Sequence, residues 1–175
     1  MAPMDASNIA NVLGALAFRL TDEIDAELAD LALDGKATAA VVHLSKYPNE
    51  SIEKLRVPVG LSHSGCVRLV DRLAELGLAR RTTAAQDARA IEVALTRKGR
   101  ALAARVLERR AEVLLRSLRS LSPAEQEQLG TLISKLYAFE INTPASALRA
   151  CRLCDYGACT RCPLRGGDDV AEIAT

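Results

Sequence analysis

Apolar positions first recur at three- and four-residue spacing. Ile9, Val12, Leu13, Leu16, Leu20, Ile24, Leu28 and Leu31 form one stripe, which predicts a helix from Asn8 to Leu33. Asp34-Gly35 is read as its end, with Gly in the residue just past the cap. An Ala-rich stretch, Lys36 to Tyr47, predicts a second helix, broken at Tyr47-Pro48-Asn49 because the residue before proline avoids the helical region. Ser51 caps a short third helix with Ile52 and Leu55 facing inward. Gly60-Leu61 reads as a tight turn, and Ser62 caps a fourth helix that runs to Leu76 and stops at Gly77. The period then changes to two. Leu78 to Thr83 and Ala90 to Thr96 read as strands, the second alternating Ile91, Val93, Leu95, joined by a polar tip from Ala84 to Arg89. Helical spacing resumes from Lys98 to Leu121, through Leu102, Val106, Val113, Leu114 and Leu118. Ser122-Pro123-Ala124-Glu125 is a capping box with Pro at the first helical position, and starts a long last helix to about Ile141. Asn142-Thr143-Pro144-Ala145-Ser146 reads as a linker, and the Gly-rich acidic stretch from Gly166 as a loose tail.

The fold class that follows is mainly α, with one small β-hairpin. Helix, short helix, tight turn, helix, hairpin is the order of a winged helix-turn-helix flanked by long helices. The expected units are residues 1–33, an N-terminal dimerisation helix; 34–97, the winged helix-turn-helix; 98–142, the C-terminal dimerisation helices; and 143–175, a linker, a cysteine loop and a tail. Composition agrees: of 175 residues 49% are apolar and only 3% aromatic, with no Trp, a helix-former's mixture. No apolar run approaches the roughly 20 residues of a membrane span, and no charged, apolar, small-residue leader opens the chain. No membrane partner and a cytoplasmic address are the expectation.

Charge is unevenly placed. Residues 1–50 carry three Lys/Arg against eight Asp/Glu, residues 51–110 thirteen against six, and residues 111–175 seven against eight. A basic middle is the electrostatic footprint of nucleic-acid binding, and equally of solvated arginine on helix faces. In a helix-turn-helix the second helix enters the major groove with its N-terminal residues against base edges. Here that helix begins Ser62-His63-Ser64. With Cys66, Leu69, Val70, Leu73 and Leu76 buried, the outward face is His63, Arg68, Asp71, Arg72 and Glu75. Arg68 and Arg72, one turn apart, suit phosphate or guanine. Arg80 and Arg81 on the first strand, and Arg89 near the tip, suit a narrow minor groove. Cys66 on the buried face reads as a small hydrophobe, and a redox role would need thiolate character. His43 reads as a packed or surface residue rather than a ligand.

The stretch from Ser51 to Ala103 resembles the MarR family of bacterial transcriptional regulators. The most specific parts are LSHSGCVRLVDRLAELGLARR, Asp87-Ala88-Arg89 and LTRKGR. The resemblance spans roughly Asn8 to Ile141 and excludes the cysteine-rich end. It implies a homodimer built from the first and last two long helices, bound to double-stranded DNA at a pseudo-palindromic operator. It also implies that Ser62, His63, Ser64 and Arg68 lie against the major groove. Arg89 would enter the minor groove, and Asp87 would hold the wing through a salt bridge. Most members are repressors released by a small ligand or by oxidation, and nothing in this sequence names an effector. Pro58 departs from the family pattern. Proline removes a helical hydrogen bond, so a shortened third helix is expected.

Outside the resemblance stands Cys151-x2-Cys154-x4-Cys159-x2-Cys162. Four thiolates in one short loop select zinc, copper(I) or iron–sulfur. Zinc fits as a tetrahedral staple of a short tail. An iron–sulfur cluster fits the Cys154-x4-Cys159-x2-Cys162 spacing and Pro163 after the last cysteine. Reducible disulfides or plain thiols are the remaining options. Coming after the last dimer helix, the loop is expected near the dimer interface, as a sensor or a staple. A redox or metal carrier with its helices as mere support is the competing function. An enzyme is not expected: no nucleophile elbow, phosphate-cradling glycine loop or His-rich metal site is present, and there are only two His.

Overall fold

The computed structural model describes residues 4–83, 91–141, 143–158 and 162–163. Helix α1 (Ala6–Leu28) continues as one 3-10 turn, Ala29–Leu31, and is followed by α2 (Gly35–Lys46). The terminator is not Gly35. Ala32 takes the left-handed conformation at φ 54°, and Asp34 instead caps α2, its carboxylate accepting from the Lys36 and Ala37 N–H groups. Gly35 is therefore the first residue of α2. The cause is the aspartate side chain, which recruits the two orphan donors of the next helix.

Next come β1 (Glu50–Ser51), α3 (Ile52–Val59), α4 (His63–Glu75), β2 (Ala79–Thr83) and β3 (Ile91–Leu95). The sheet order is β1-β3-β2, antiparallel throughout, with Arg81 opposite Val93 and Glu50 also opposite Val93. Strand β1 is absent from the sequence expectation because two residues carry no readable period. Pro58 stands in the last turn of α3, and the helix ends one residue later at Val59, capped by Gly60 at φ 64°. Residues 84–90, the expected wing tip with Asp87 and Arg89, lie outside the described residues.

Helices α5 (Arg97–Leu118) and α6 (Pro123–Glu140) complete the long frame, with the predicted capping box at Ser122 and Glu125 formed. The expected linker is partly helical. Thr143 caps α7 (Pro144–Ala150), which runs into a 3-10 turn, Cys151–Leu153. Thr143 and Ser146 supply a capping box there, a start signal hidden in what looks like loop composition.

The core lies in the winged unit. Eight successive residues of α2, Ala37 to Leu44, are buried. Leu55 and Val59 of α3, Cys66, Val70 and Leu73 of α4, and Val93 of β3 close around it. A second cluster, Leu28, Val42 and Val106, joins α1 and α5 to the same helix. Leu76, expected inside, is 40% exposed: it is the cap residue of α4, already rotating off the buried stripe. Helix α6 buries none of its residues. Among the described residues no helix is long and apolar enough to cross a membrane.

Candidate nucleic-acid interface

Two glycines frame α4. Gly60 is left-handed after α3, and the Leu61 N–H donates back to the Arg56 carbonyl at 3.1 Å. Gly77, φ 67°, ends α4 in the same manner, with the Leu78 N–H donating to the Leu73 carbonyl at 2.8 Å. Such left-handed ends satisfy orphan carbonyls and fix the direction in which the chain leaves. Helix α4 is thereby held between a tight turn and strand β2. Its apolar face, Cys66, Val70 and Leu73, is fully enclosed.

The opposite side is open. Ser62, His63, Ser64, Arg68 and Arg72 are all exposed. The Ser62 hydroxyl accepts from the Gly65 N–H at 3.2 Å, so this residue first serves as the helix cap. Ser64 lies 3.3 Å from it, hydroxyl to hydroxyl. His63 Nδ1 bonds the Glu53 carboxylate of α3, which Arg56 also grips at 2.6 Å. Those two contacts, Arg56 first, hold the Glu53 carboxyl below its usual range. Glu53 was not singled out from the sequence. Its signal was positional: an acidic residue in the first turn of α3 faces the start of α4.

The arginines divide into two groups. Arg72 donates to Asp34 at 2.5 Å, and Arg81 to Asp71 at 2.7 Å. Arg105 and Arg109 of α5 both reach Asp30, and Arg116 reaches Glu23 and Glu27 of α1. Four arginines of the basic middle, Arg72, Arg81, Arg105 and Arg109, are thus matched by acids of the chain itself. Arg68 and Arg80 have no ion-pair partner among the described residues, and both are exposed. They stand on the outward face of α4 and on the first wing strand.

Cys66 packs as the sequence suggests, and the thiolate character that a redox role would need is absent. The side chain is fully buried, and burial pushes its thiol up to about 11, with Glu53 adding to the shift. The thiolate is the reactive form, so this group is inert at neutral pH. His43 is a buried residue, bonded through Nε2 to Glu50 at 2.7 Å.

No family model matches the chain. Solved structures do. A MarR family protein from Bacillus stearothermophilus superposes with TM-score 0.68 at 22% identity, over 77% of this chain and 96% of that one. The fold is that of the MarR family. The transcriptional regulator PA3341 is 26% identical, with TM-score 0.59, over 74% of this chain and 96% of its own. A mutant of S. aureus MepR bound to an oligodeoxyribonucleotide matches at TM-score 0.59 and 17% identity, over 76% of this chain and 98% of that one. In a MarR-type fold α4 is the second helix of the helix-turn-helix, and β2 and β3 are the strands of the wing.

The cysteine segment lies against the last long helix of this MarR-type frame. Tyr137 of α6 sets its hydroxyl 3.5 Å from Cys151 Sγ. Burial foremost, then that contact and the nearby Cys151, Cys154 and Cys162, raise the Tyr137 phenol far above its ordinary value. Three of the four cysteines therefore lie near one tyrosine. Cys159 lies outside the described residues. Among the described residues no three His, Cys, Asp or Glu side chains converge tightly enough to hold an ion. The aromatic neighbours Tyr137 and Tyr156 escaped the sequence reading, because lone tyrosines on a helix and in a loop carry no pattern.

Proposed function

We propose that the chain is a DNA-binding transcriptional regulator, a repressor, acting as a homodimer on a pseudo-palindromic operator. The observation that carries this is the open N-terminal face of α4, with Ser64 and Arg68 outward, beside Arg80 of β2. Among the described residues, Arg68 and Arg80 are cations of this face with no acidic partner. Guanidinium groups in that position match phosphate oxygens or the guanine edge. The likeness of the fold to a structure bound to an oligodeoxyribonucleotide supports DNA as the ligand. The cytoplasm is the compartment this function requires.

The dimer is supported by apolar surface that one protomer leaves open. Ile9, Val12, Leu13 and Leu16 of α1 are each about half exposed, and Leu132, Ile133 and Leu136 of α6 are more than half exposed. Contiguous apolar faces of this kind mark association sites. A second copy lying along α1 and α6 would cover them and space two α4 helices by about one DNA turn, roughly 34 Å.

For the cysteine segment the proposal is a soft-metal centre on Cys151, Cys154, Cys159 and Cys162, zinc or iron–sulfur. Thiolate donors at this spacing support it. Cys151 and Cys154 are brought together by one 3-10 turn, the Cys154 N–H donating to the Cys151 carbonyl at 2.9 Å. Bound metal would offset the thiolate charge and hold the loop closed.

The test is a salt titration of binding to a genomic fragment selected by the protein itself. Log affinity should fall linearly with log salt. Arg68→Ala should weaken binding and reduce the slope by about one. A slope near zero for the intact protein would remove DNA contact and leave the metal-carrier function.

A further inference from the structure

The cysteine segment does not lie where its place in the chain suggests. It folds back onto the DNA-reading unit. Helix α7 packs on α3, and the turn Cys151–Leu153 packs on α2 and α3. Leu153 touches both apolar clusters, the one under α4 and the one that joins α1 to α5. Just beyond it, the Tyr156 ring meets Tyr47 edge-on, centroids 5.8 Å apart, and the Lys46 ammonium stands 5.3 Å from the Tyr156 ring centre. Tyr47 in turn lies against His43 at 4.8 Å, and His43 bonds Glu50 of β1, which pairs with β3 of the wing. On its other side the turn meets α6 through Tyr137 and Cys151. One short segment thus touches the last long helix, both helices behind α4, and the residues leading to the wing.

We propose that this segment is a clamp. With metal on its cysteines it stays seated on α2 and α3 and holds α4 and the wing in register for DNA; without metal it releases Leu153 and Tyr156, and DNA affinity falls. The inference rests on the metal reading above and adds where that metal acts. Its physical basis is the weakness of the segment alone. Helix α7 has seven residues, too few to persist unaided in water. Its seat is Leu153, the buried Ala147 of α7 and the Tyr47–Tyr156 pair, so ordering the loop by metal supplies stability that the segment lacks. What it holds is consequential: α2 is the central buried helix of the unit. Packed elements tend to shift between discrete arrangements rather than flex continuously.

The experiment uses the full chain, purified without oxygen, in three forms: wild type, Cys151→Ser/Cys154→Ser, and Leu153→Ala/Tyr156→Ala. Zinc, iron and acid-labile sulfide per chain, operator affinity and amide exchange in residues 37–59 are measured before and after a chelator. For the wild type, metal removal should lower affinity about tenfold, a change of about 1.4 kcal/mol, and speed exchange in α2 and α3. The Leu153→Ala/Tyr156→Ala form should keep its metal, already bind weakly, and respond to the chelator by less than about twofold. Leu153→Met/Tyr156→Phe should behave as wild type, which separates loss of the seat from misfolding. The clamp is overturned if exchange and affinity in the wild type ignore the chelator. It is equally overturned if the Leu153→Ala/Tyr156→Ala form binds DNA and responds to chelation as the wild type does. A chain carrying neither zinc nor iron removes the metal reading by itself. In that case the Leu153→Ala/Tyr156→Ala affinity still decides whether the seat matters, and unchanged binding removes that too. If no fragment is bound by any form, exchange in residues 37–59 alone judges the clamp.

Discussion

Adding one methyl group at Gly99 should destabilise the protein, although alanine is the better helix former. Gly99 is the third residue of α5, and its N–H donates to the Thr96 hydroxyl at 3.1 Å. A Cβ there would stand 2.0 Å from the Leu78 carbonyl oxygen and 3.0 Å from its carbon. Carbon–oxygen contacts rest at about 3.3 Å or more, so helix and strand must part by more than about 1 Å. The obstacle is backbone and cannot rotate away. The same carbonyl accepts from the Thr96 N–H at 3.0 Å, so a shift strains that bond as well. Helix propensity favours alanine by roughly 0.8–1 kcal/mol. Overpacking costs about 1–3 kcal/mol, and weakening a hydrogen bond costs about 1 kcal/mol more. The net expectation is a loss of about 1–3 kcal/mol. At about 2–4 °C per kcal/mol for a chain of this size, that lowers Tm by roughly 2–12 °C. Thermal unfolding followed by circular dichroism, at fixed protein and salt concentration, measures it. Gly35→Ala, where a new Cβ meets nothing within 4 Å, is the control and should not lower Tm. A Tm for Gly99→Ala equal to or above wild type would refute the argument that this close approach requires glycine.

Other outcomes follow from the same geometry. Glu50→Ala leaves His43, which is 3% exposed, without its hydrogen-bond partner and should cost about 1–3 kcal/mol, the penalty for an unsatisfied buried polar group; a chemical denaturation midpoint within error of wild type would contradict this. Cys66 should resist iodoacetamide at pH 8 until the protein unfolds, and a rate typical of exposed thiols would overturn its assignment to the core. Because its folded value of about 11 lies above the ordinary thiol value of 9.0, its contribution to stability is complete below about pH 9. That contribution is lost as pH rises through 11, so Cys66→Ala should flatten the alkaline fall in stability. Leu136→Asp, on the open face of α6, should shift the protein to monomer in sedimentation, and an unchanged mass would exclude that face from the dimer.

The helical frame and the winged unit could be read from the sequence because their signals are local. Apolar spacing, Ser51, Ser62 and Ser122 as caps, and Gly60 and Gly77 as stops each act within one turn. What escaped was set by distant partners. Asp34 looked like part of a helix end, yet its carboxylate caps the next helix and holds Arg72. The basic middle could be a ligand footprint or solvated arginine, and part of it is neither: Arg105 and Arg109 are matched by Asp30, in the turn after α1 and more than 70 residues away. The seat of the cysteine segment on α2 and α3 was invisible for the same reason. Leu153 and Tyr156 belong to no periodic stripe, and their contacts exist only after the chain has turned back.

Helix α6 has a consequence for how the protein comes to be folded. An 18-residue helix that buries no side chain of its own gains little from its own protomer. In the proposed dimer, its order arises at the moment two chains meet. The winged unit, with its enclosed α2, can form first and at any dilution. The frame that spaces two such units then becomes a second-order event, set by how many copies the cell has made. Newly made chains would pass through a stage in which each can touch one half-site and none can bridge two. Abundance itself then becomes a threshold for occupying the operator.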